Sequence, residues 1–267
     1  MIGPAPAKIN LALVVGPRRP DGKHELATAY QRVDLGDRIT VEPADETRVA
    51  GFLEDTIVQG ALASLEAPHG WRVHIEKHIP VAAGLGGGSS DAATALRLAN
   101  AQLAAPLPAA RLAELAARIG ADVPFFLADG PQLGTGDGTI LEPLELPQDF
   151  AVLLLLPNEA HKRSSGSVYA EFDRRGGADG FDERVAALRA ALAVVRRPRD
   201  LAALPLNDLA RSPLAAELRA HGAFRADVRG AGPTLYGLFN RTADAKRAAR
   251  ALGHLGQTWI TVPAWYG

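Results

Sequence analysis

Pro80-Val-Ala-Ala-Gly-Leu-Gly-Gly-Gly-Ser-Ser90 is the stretch on which the reading of this chain turns. Four glycines and two serines fill six of the seven positions from Gly84 to Ser90, immediately before a run patterned as a helix. Glycine has no Cβ to hold a bulky anion off the backbone, and it reaches φ angles above zero that turn successive N–H groups inward. Asp91 to Asn100 follows, with Leu96, Ala99 and Leu103 at helical spacing, so Ser89 or Ser90 is expected to cap a helix whose positive end faces the loop. Loop and helix end then hold the same phosphates. A turn that only reverses the chain usually spends one or two glycines.

Upstream, Trp71, Val73 and Ile75 alternate with Arg72, His74 and Glu76, the period of a half-buried strand. Strand, glycine loop and helix therefore follow in the order a nucleotide loop requires. Neither of the two commonest signatures matches. The P-loop pattern needs a lysine after the last glycine, where Ser89 stands; the dinucleotide pattern needs a third glycine at that position and an acid about twenty residues further on.

The 267 residues, with 47% hydrophobic and 22% charged content, suit a globular protein with a substantial core. A formal net charge of −1 gives no general drive toward nucleic acid or an anionic membrane, so any phosphate binding is local. The absence of cysteine excludes disulfides, thiolate metal sites and cysteine nucleophiles. Met1 to Lys8 has no apolar signal-peptide core, and the strongest apolar run, Phe150 to Leu156, is too short for a bilayer. A cytoplasmic location is expected.

Ile9, Leu11, Leu13 and Val15 alternate with Lys8, Asn10 and Ala12, which predicts a first strand with Lys8 and Asn10 on one face. Arg18 to Gly22 is a turn by its Pro-Asp-Gly, Asp55 to Leu65 a helix, and a further helix from about Pro108 stops at Gly120. Ala151 to Leu156 reads as a strand buried on both faces, and here the domain boundary is placed: 1–150 and 151–267. In the second half, 174–180 is loop-like, 182–195 and 244–252 are helical, and Val228 to Phe239 carries a second glycine turn into an apolar strand. No repeat of 20–50 residues is present.

Asp122 stands in Gly120-Ala-Asp-Val-Pro-Phe-Phe-Leu127, an acid just past a helix stop and ahead of an apolar segment, where burial is expensive unless the carboxylate has partners or a task. It reads equally as an ordinary turn aspartate. Lys8 alone is ambiguous in the same way. A kinase needs a proton acceptor for the attacking hydroxyl, a cation for the transferred phosphoryl oxygens and a loop for the triphosphate, roles that Asp122, Lys8 and Gly84 to Ser90 can fill. His24 offers a donor and an acceptor nitrogen for reading a polar ring, though most lone histidines simply pack. His74 and His78 lack the His-Glu-x-x-His order, and a metal reading there is set aside.

Ala7-Lys-Ile-Asn-Leu11, Arg19-Pro-Asp-Gly-Lys-His-Glu-Leu26, Pro80 to Ser90 with Asp91-Ala-Ala93, Gly120-Ala-Asp-Val-Pro-Phe-Phe126, Asn207-Asp-Leu209 and Arg229-Gly-Ala-Gly-Pro233 occur in one order over nearly the whole chain. In this the chain resembles the GHMP kinase superfamily. The resemblance implies an α+β, two-domain fold, with an N-terminal domain like the second domain of ribosomal protein S5 and a C-terminal ferredoxin-like domain. It also implies ATP-dependent phosphorylation, with Mg2+, of the 2-hydroxyl of a cytidine diphosphate-linked methylerythritol on the non-mevalonate route to isoprenoid precursors.

By motif position, Asp122 carries over as catalytic base and Lys8 as its electrostatic partner. Pro80, Val81, Ala82, Ala83, Gly84, Leu85, Gly86, Gly87, Gly88, Ser89 and Ser90 carry over as the ATP site. Asn10, His24, Ser165 and Tyr169 fall at substrate positions, and Gly230 and Gly232 in a glycine turn near the substrate phosphate. No protein side chain is assigned to the metal. Two departures stand out. Lys23 replaces the usual tyrosine before His24 and offers no π face to a base, which leaves Tyr169 to stack alone. Arg229 and Ala231 replace residues that are usually hydroxyl-bearing. The rivals are another GHMP kinase, acting on a sugar, homoserine or mevalonate, and a nucleotide-binding module without turnover.

Overall fold

Two long strands begin the chain: β1, Ile2–Arg18, and β2, His24–Ala44. β1 extends well beyond the expected 9–15 stretch and is buried on both faces from Ala5 to Val15, polar Lys8 and Asn10 included. β2 has no clean alternation, because charged residues, Gly36 and Pro43 interrupt it, and it escapes a period-based reading. The computed structural model describes residues 1–52, 56–159 and 164–264. The remaining elements are β3 (Arg48–Ala50), α1 (Thr56–Ala63), β4 (Gly70–Glu76), α2 (Gly87–Asn100), α3 (Ala109–Ile119), β5 (Gln132–Thr135), β6 (Ile140–Pro143) and β7 (Ala151–Pro157). They continue with α4 (Ser165–Arg174), α5 (Phe181–Ala193), α6 (Leu214–Ala220), β8 (Arg225–Val228), β9 (Leu235–Phe239), α7 (Thr242–Leu252) and β10 (Gly256–Thr261). The helix read from Asp55 begins at Thr56, and Asp55 itself lies outside the described residues.

The chain forms two compact units: residues 1–7, 35–80 and 86–129, and residues 8–34, 81–85 and 130–267. Both are discontinuous in sequence, so 8–34, 81–85 and 130–150 belong with the C-terminal half and not with the rest of 1–150.

In the first unit, β4 pairs antiparallel with the C-terminal half of β2 and parallel with β3. Trp71, Val73 and Ile75 point into the core, as their alternation predicts. α2 packs on α1 with a face of small residues, Ala92, Ala95 and Ala99, around Leu96. α3 buries Leu112, Leu115 and Ala116, and Gly120 stands at its end as expected.

A buried charge cluster ties these elements together. Lys77 Nζ donates to Asp37 Oδ2 at 2.6 Å and to Asp91 Oδ2 at 2.7 Å, and both carboxyl side chains are fully buried. Asp37 Oδ1 also accepts the backbone amides of His78 and Ile79 at 2.5 and 2.8 Å. With two acids sharing one lysine, burial and the neighbouring Asp37 push the Asp91 carboxyl up to about 8, against the opposing pull of Lys77.

In the second unit, β10, β7, β9 and β8 form an antiparallel sheet in that order. α6 and α7 pack on it through Leu218, Ala245, Ala248 and Leu252 against Leu153, Leu155, Leu235 and Phe239. With α4 and α5 inserted after β7, the elements β7, α6, β8, β9, α7 and β10 make the split βαβ arrangement of ferredoxin-like domains. β7 is buried on both faces, as its unbroken aliphatic run predicts. The same unit contains the N-terminal half of β2 paired with β5, and β5 paired with β6. α4, within the 160s and 170s, was not foreseen. Its Val168 and Phe172 pack with Leu13, Val15 and Leu209.

Arg225 organises the interior beside β8. Its Nε donates to Tyr236 Oη at 3.1 Å, Nη1 to the carbonyls of Leu201 and Leu204 at 3.1 and 2.7 Å, and Nη2 to Pro205 O at 2.8 Å. Tyr236 Oη donates onward to Leu11 O at 3.2 Å, and burial pushes its ionisation up to about 12. Burial also pushes the nearby Asp227 carboxyl up, against hydrogen bonds from the amides of Asn207 and Val228 and the charge of Arg225.

Between pH of about 4 and about 8, Asp91 keeps its proton in the folded chain and loses it in the unfolded one. Its contribution to stability is therefore present below that window and declines as pH rises through it. Asp91→Asn is expected to flatten this slope in urea titrations run across the window. Arg225→Met leaves four acceptors and Asp227 without their buried partner, and is expected to cost about 3–5 kcal/mol in the same denaturation experiment at pH 7.

Candidate active site

The glycine loop reaches its shape through alternating backbone signs. Ala82, Gly84 and Gly86 have φ of 61, 82 and 75°, while Ala83 and Leu85 between them are buried as anchors. Gly86 is the N-cap of α2, in the left-handed region and with no side-chain cap, and Gly87 is already helical. The expectation that Ser89 or Ser90 caps the helix is thus corrected: Ser90 N donates to Gly86 O at 2.9 Å, so both serines lie inside the first turn. Glycine adopts a left-handed cap at no steric cost, and the helix starts where the chain first permits it. The early start leaves the amides of Gly87, Gly88 and Ser89 among the N–H groups without an intrahelical acceptor. Ser90 Oγ is buried and has no hydrogen-bond partner among the described residues. Backbone donors, the helix end and a bare hydroxyl suit the phosphates of a nucleotide.

In the second unit, the predicted face of β1 is realised. Lys8 Nζ donates to Asn10 Oδ1 at 3.1 Å and sits 4.6 Å from the centre of the Tyr30 ring. Asn10 Nδ2 donates to Thr28 Oγ1 at 2.7 Å, and that hydroxyl donates to Ala12 O at 2.8 Å. The amide plane of Asn10 is thereby set, and its oxygen faces the lysine. A Cβ built on Gly230 would stand 3.5 Å from the same Asn10 oxygen. Gly230 is left-handed at φ 51°, and Asn207 Nδ2 holds its carbonyl at 2.6 Å. Gly232 meets Gly84 so closely that a Cβ on either would lie 2.8 Å from the other's Cα. Lys8, Asn10, Gly84, Gly230 and Gly232, from three distant parts of the sequence, are thus brought together. Arg229 is buried in the same place, with Nη1 3.4 Å from where a Gly84 Cβ would stand.

His24 and Tyr169 also meet. Their rings stack with centroids 4.7 Å apart at 25°, and His24 Nε2 pairs with Asp173 Oδ1 at 2.7 Å. One face of Tyr169 and the Nε2 nitrogen of His24 are therefore already engaged. Asp173 was not singled out from the sequence. Tyr169 and Asp173 are four apart on α4, a spacing that marks one helical face only once the segment is known to be a helix. Ser165 is the first residue of α4 and is exposed; Ser164 before it caps the helix by accepting from the amide of Ser167.

Lys23 Nζ donates to Asp137 Oδ2 at 2.6 Å. Although partial burial works the other way, hydrogen bonds from Lys23 and Thr139 hold the Asp137 carboxyl below its usual range. Asp122, in the first unit, is half-buried in the turn between α3 and the tight helical turn Pro124–Phe126, where buried Phe125 and Phe126 anchor the segment.

Among the described residues no group of three or more acids and histidines is arranged to hold a metal ion, and no helix is long and apolar enough to cross a membrane. The family model for the GHMP kinase N-terminal domain matches residues 53–130, and that for the GHMP kinase C-terminal domain matches residues 212–257. A 4-diphosphocytidyl-2-C-methyl-D-erythritol kinase from Salinispora arenicola is 38% identical, over 94% of this chain and 87% of its own. Its counterpart from Novosphingobium aromaticivorans is 39% identical, over 96% of this chain and 89% of its own. A crystal structure of 4-(cytidine 5'-diphospho)-2C-methyl-D-erythritol kinase superposes with a TM-score of 0.78 at 33% identity, covering 99% of this chain and all of that one. The Methanococcus jannaschii mevalonate kinase, at 13% identity and a TM-score of 0.76, shares the fold. With its GHMP kinase fold and full-length likeness to these enzymes, the chain belongs to the 4-diphosphocytidyl-2-C-methyl-D-erythritol kinase family.

Proposed function

We propose that this chain transfers the terminal phosphoryl group of ATP to the 2-hydroxyl of 4-diphosphocytidyl-2-C-methyl-D-erythritol, a step toward isoprenoid precursors. The observation that carries the reading is the convergence of Lys8, Asn10 and the second glycine turn on the Gly84 segment of the phosphate loop. A glycine turn that only reversed the chain would gain nothing from a buried lysine and amide beside it.

The loop Pro80 to Ser90 holds the triphosphate through main-chain amides and the α2 end. Lys8, fixed by Asn10, supplies positive charge for the phosphoryl oxygens. Asp122 accepts the proton of the 2-hydroxyl as its oxygen bonds to the γ-phosphorus; the bond from that phosphorus to the bridging oxygen breaks, and ADP leaves. Asn10 lies beside the substrate alcohol. Mg2+ accompanies ATP and neutralises charge on the phosphate oxygens when bound. The cytidyl base is read by His24 Nδ1, ordered through Asp173, and stacks against Tyr169; Ser165 contributes a hydroxyl to the same substrate. Gly230 and Gly232 let the backbone come close to the substrate phosphates. Both substrates are water-soluble intracellular metabolites, and the cytoplasm is the compartment of action.

The decisive experiment is incubation of the purified protein with ATP and, in turn, the cytidyl alcohol, homoserine, mevalonate and a sugar. Phosphorylation of the cytidyl alcohol alone is expected. Turnover on another alcohol reassigns the substrate, and ATP binding with no turnover leaves a nucleotide-binding module. Asp122→Asn is expected to lower kcat by about 10²–10⁴-fold while ATP affinity by calorimetry holds, because the proton acceptor goes and the loop stays. A near wild-type kcat removes Asp122 from the chemistry. Lys23→Tyr restores a π face next to His24 and is expected to lower KM for the cytidyl alcohol about tenfold, at the lower end of base–aromatic stacking, with KM for ATP little changed.

A further inference from the structure

The second glycine turn does more than approach the loop, because the residue that follows it grips the loop directly. Thr234 is fully buried, and its Oγ1 donates to Ala83 O at 2.7 Å. Two residues on, Leu85 O accepts the backbone amide of Lys8 at 2.9 Å. The loop carbonyls at 83 and 85 are thus both drawn inward. No peptide bond among the described residues is cis, and in a trans peptide the N–H points opposite to the carbonyl of the preceding residue. Anchoring Ala83 O therefore turns the Gly84 amide away from Thr234, and anchoring Leu85 O turns the Gly86 amide away from β1.

The strained backbone on the same stretch supports a fixed conformation. Ala82, at φ 61°, is one of two non-glycine residues with positive φ among those described. Such a conformation costs free energy and persists only where the surroundings over-determine it. The Thr234 bond to the next residue and the side-chain-free contact of Gly84 with Gly232 are the surroundings that do so.

We propose that Thr234 is a positioning residue for ATP: by holding the Ala83 carbonyl, its hydroxyl aims the Gly84 amide at the bound phosphates. The proposal rests on the assignment of Pro80 to Ser90 as the ATP site. Thr234 touches no substrate and acts through the loop backbone. Thr234→Val keeps the shape and removes the hydroxyl, whereas Thr234→Ser keeps the hydroxyl.

In steady-state kinetics on the full chain, Thr234→Val raises KM for ATP about tenfold and leaves KM for the alcohol unchanged, the scale of one lost buried hydrogen bond. Thr234→Ser stays within about threefold of the unsubstituted protein. A lowered melting temperature in the valine variant with an unaltered ATP KM assigns Thr234 a purely structural role and overturns the proposal. Gly84→Ala, which puts a Cβ 2.8 Å from Gly232 at a φ of 82°, perturbs the loop itself and so separates the loop's role from that of Thr234. If both variants leave ATP binding intact, the loop is not the phosphate site; if only Thr234→Val is silent, the loop stands and the positioning role falls. Hydrogen exchange in the unsubstituted protein tests the same point without a mutation: ATP slows exchange at the Gly84 amide, and the absence of any slowing refutes the aim assigned to it.

Discussion

The contact between Gly84 and Gly232 is the constraint on which the site depends. Two backbones meet where neither has room for a Cβ, so the Gly84 segment of the glycine loop and the turn after β8 are held at a distance no other residue pair permits. From that contact outward, Asn207 fixes the carbonyl of Gly230, Gly230 faces Asn10, and Asn10 orders Lys8. The first and last of these links are hydrogen bonds, at 2.6 and 3.1 Å, and the middle one is a close approach that leaves no room for a large side chain at Gly230. In the proposed reaction the Lys8 ammonium is thus held in place by the fold itself, and preorganised charge of this kind is the most effective form of electrostatic stabilisation.

Buried charge elsewhere in the molecule is likewise held by several partners at once, although Asp91 Oδ1 has no hydrogen-bond partner among the described residues. Lys77 is shared by Asp37 and Asp91, and Asp37 also accepts from the amides that lead into the loop, so the entry to the glycine loop is tied to β2 and to the N-terminal part of α2 at once. Arg225 uses its guanidinium to collect carbonyls from the end of the short 3-10 helix Pro198–Ala203 and the two residues after it.

Much of this was legible from residue order. The alternation of Trp71, Val73 and Ile75, the aliphatic run of β7, the helices around Leu96, Leu112 and Leu188, and the glycine turn that leads into α2 all follow from local rules of period and glycine content. β2 was not legible, because its residues are sorted by neighbours on two sides and carry no period of their own. α4 was missed because its apolar face is two residues, Val168 and Phe172, and it is helical through packing on Leu13, Val15 and Leu209. The position of the α2 cap was misjudged by the usual preference for serine, which a left-handed glycine overrode.

The sequence by itself determined which chemical groups are present and in what local setting: a side-chain-poor loop before a helix, a lysine and an asparagine on one strand face, an acid after a helix stop. Local rules reach that far because strand period, helix period and glycine freedom act over a few residues. Only the tertiary structure decided which of these groups meet. The stacking of His24 on Tyr169, the claim of Asp173 on the histidine and the grip of Thr234 on Ala83 join residues far apart in the chain. Such pairings are selected by the packing of the whole core, since a buried donor or acceptor left without a partner costs more than any local preference can repay.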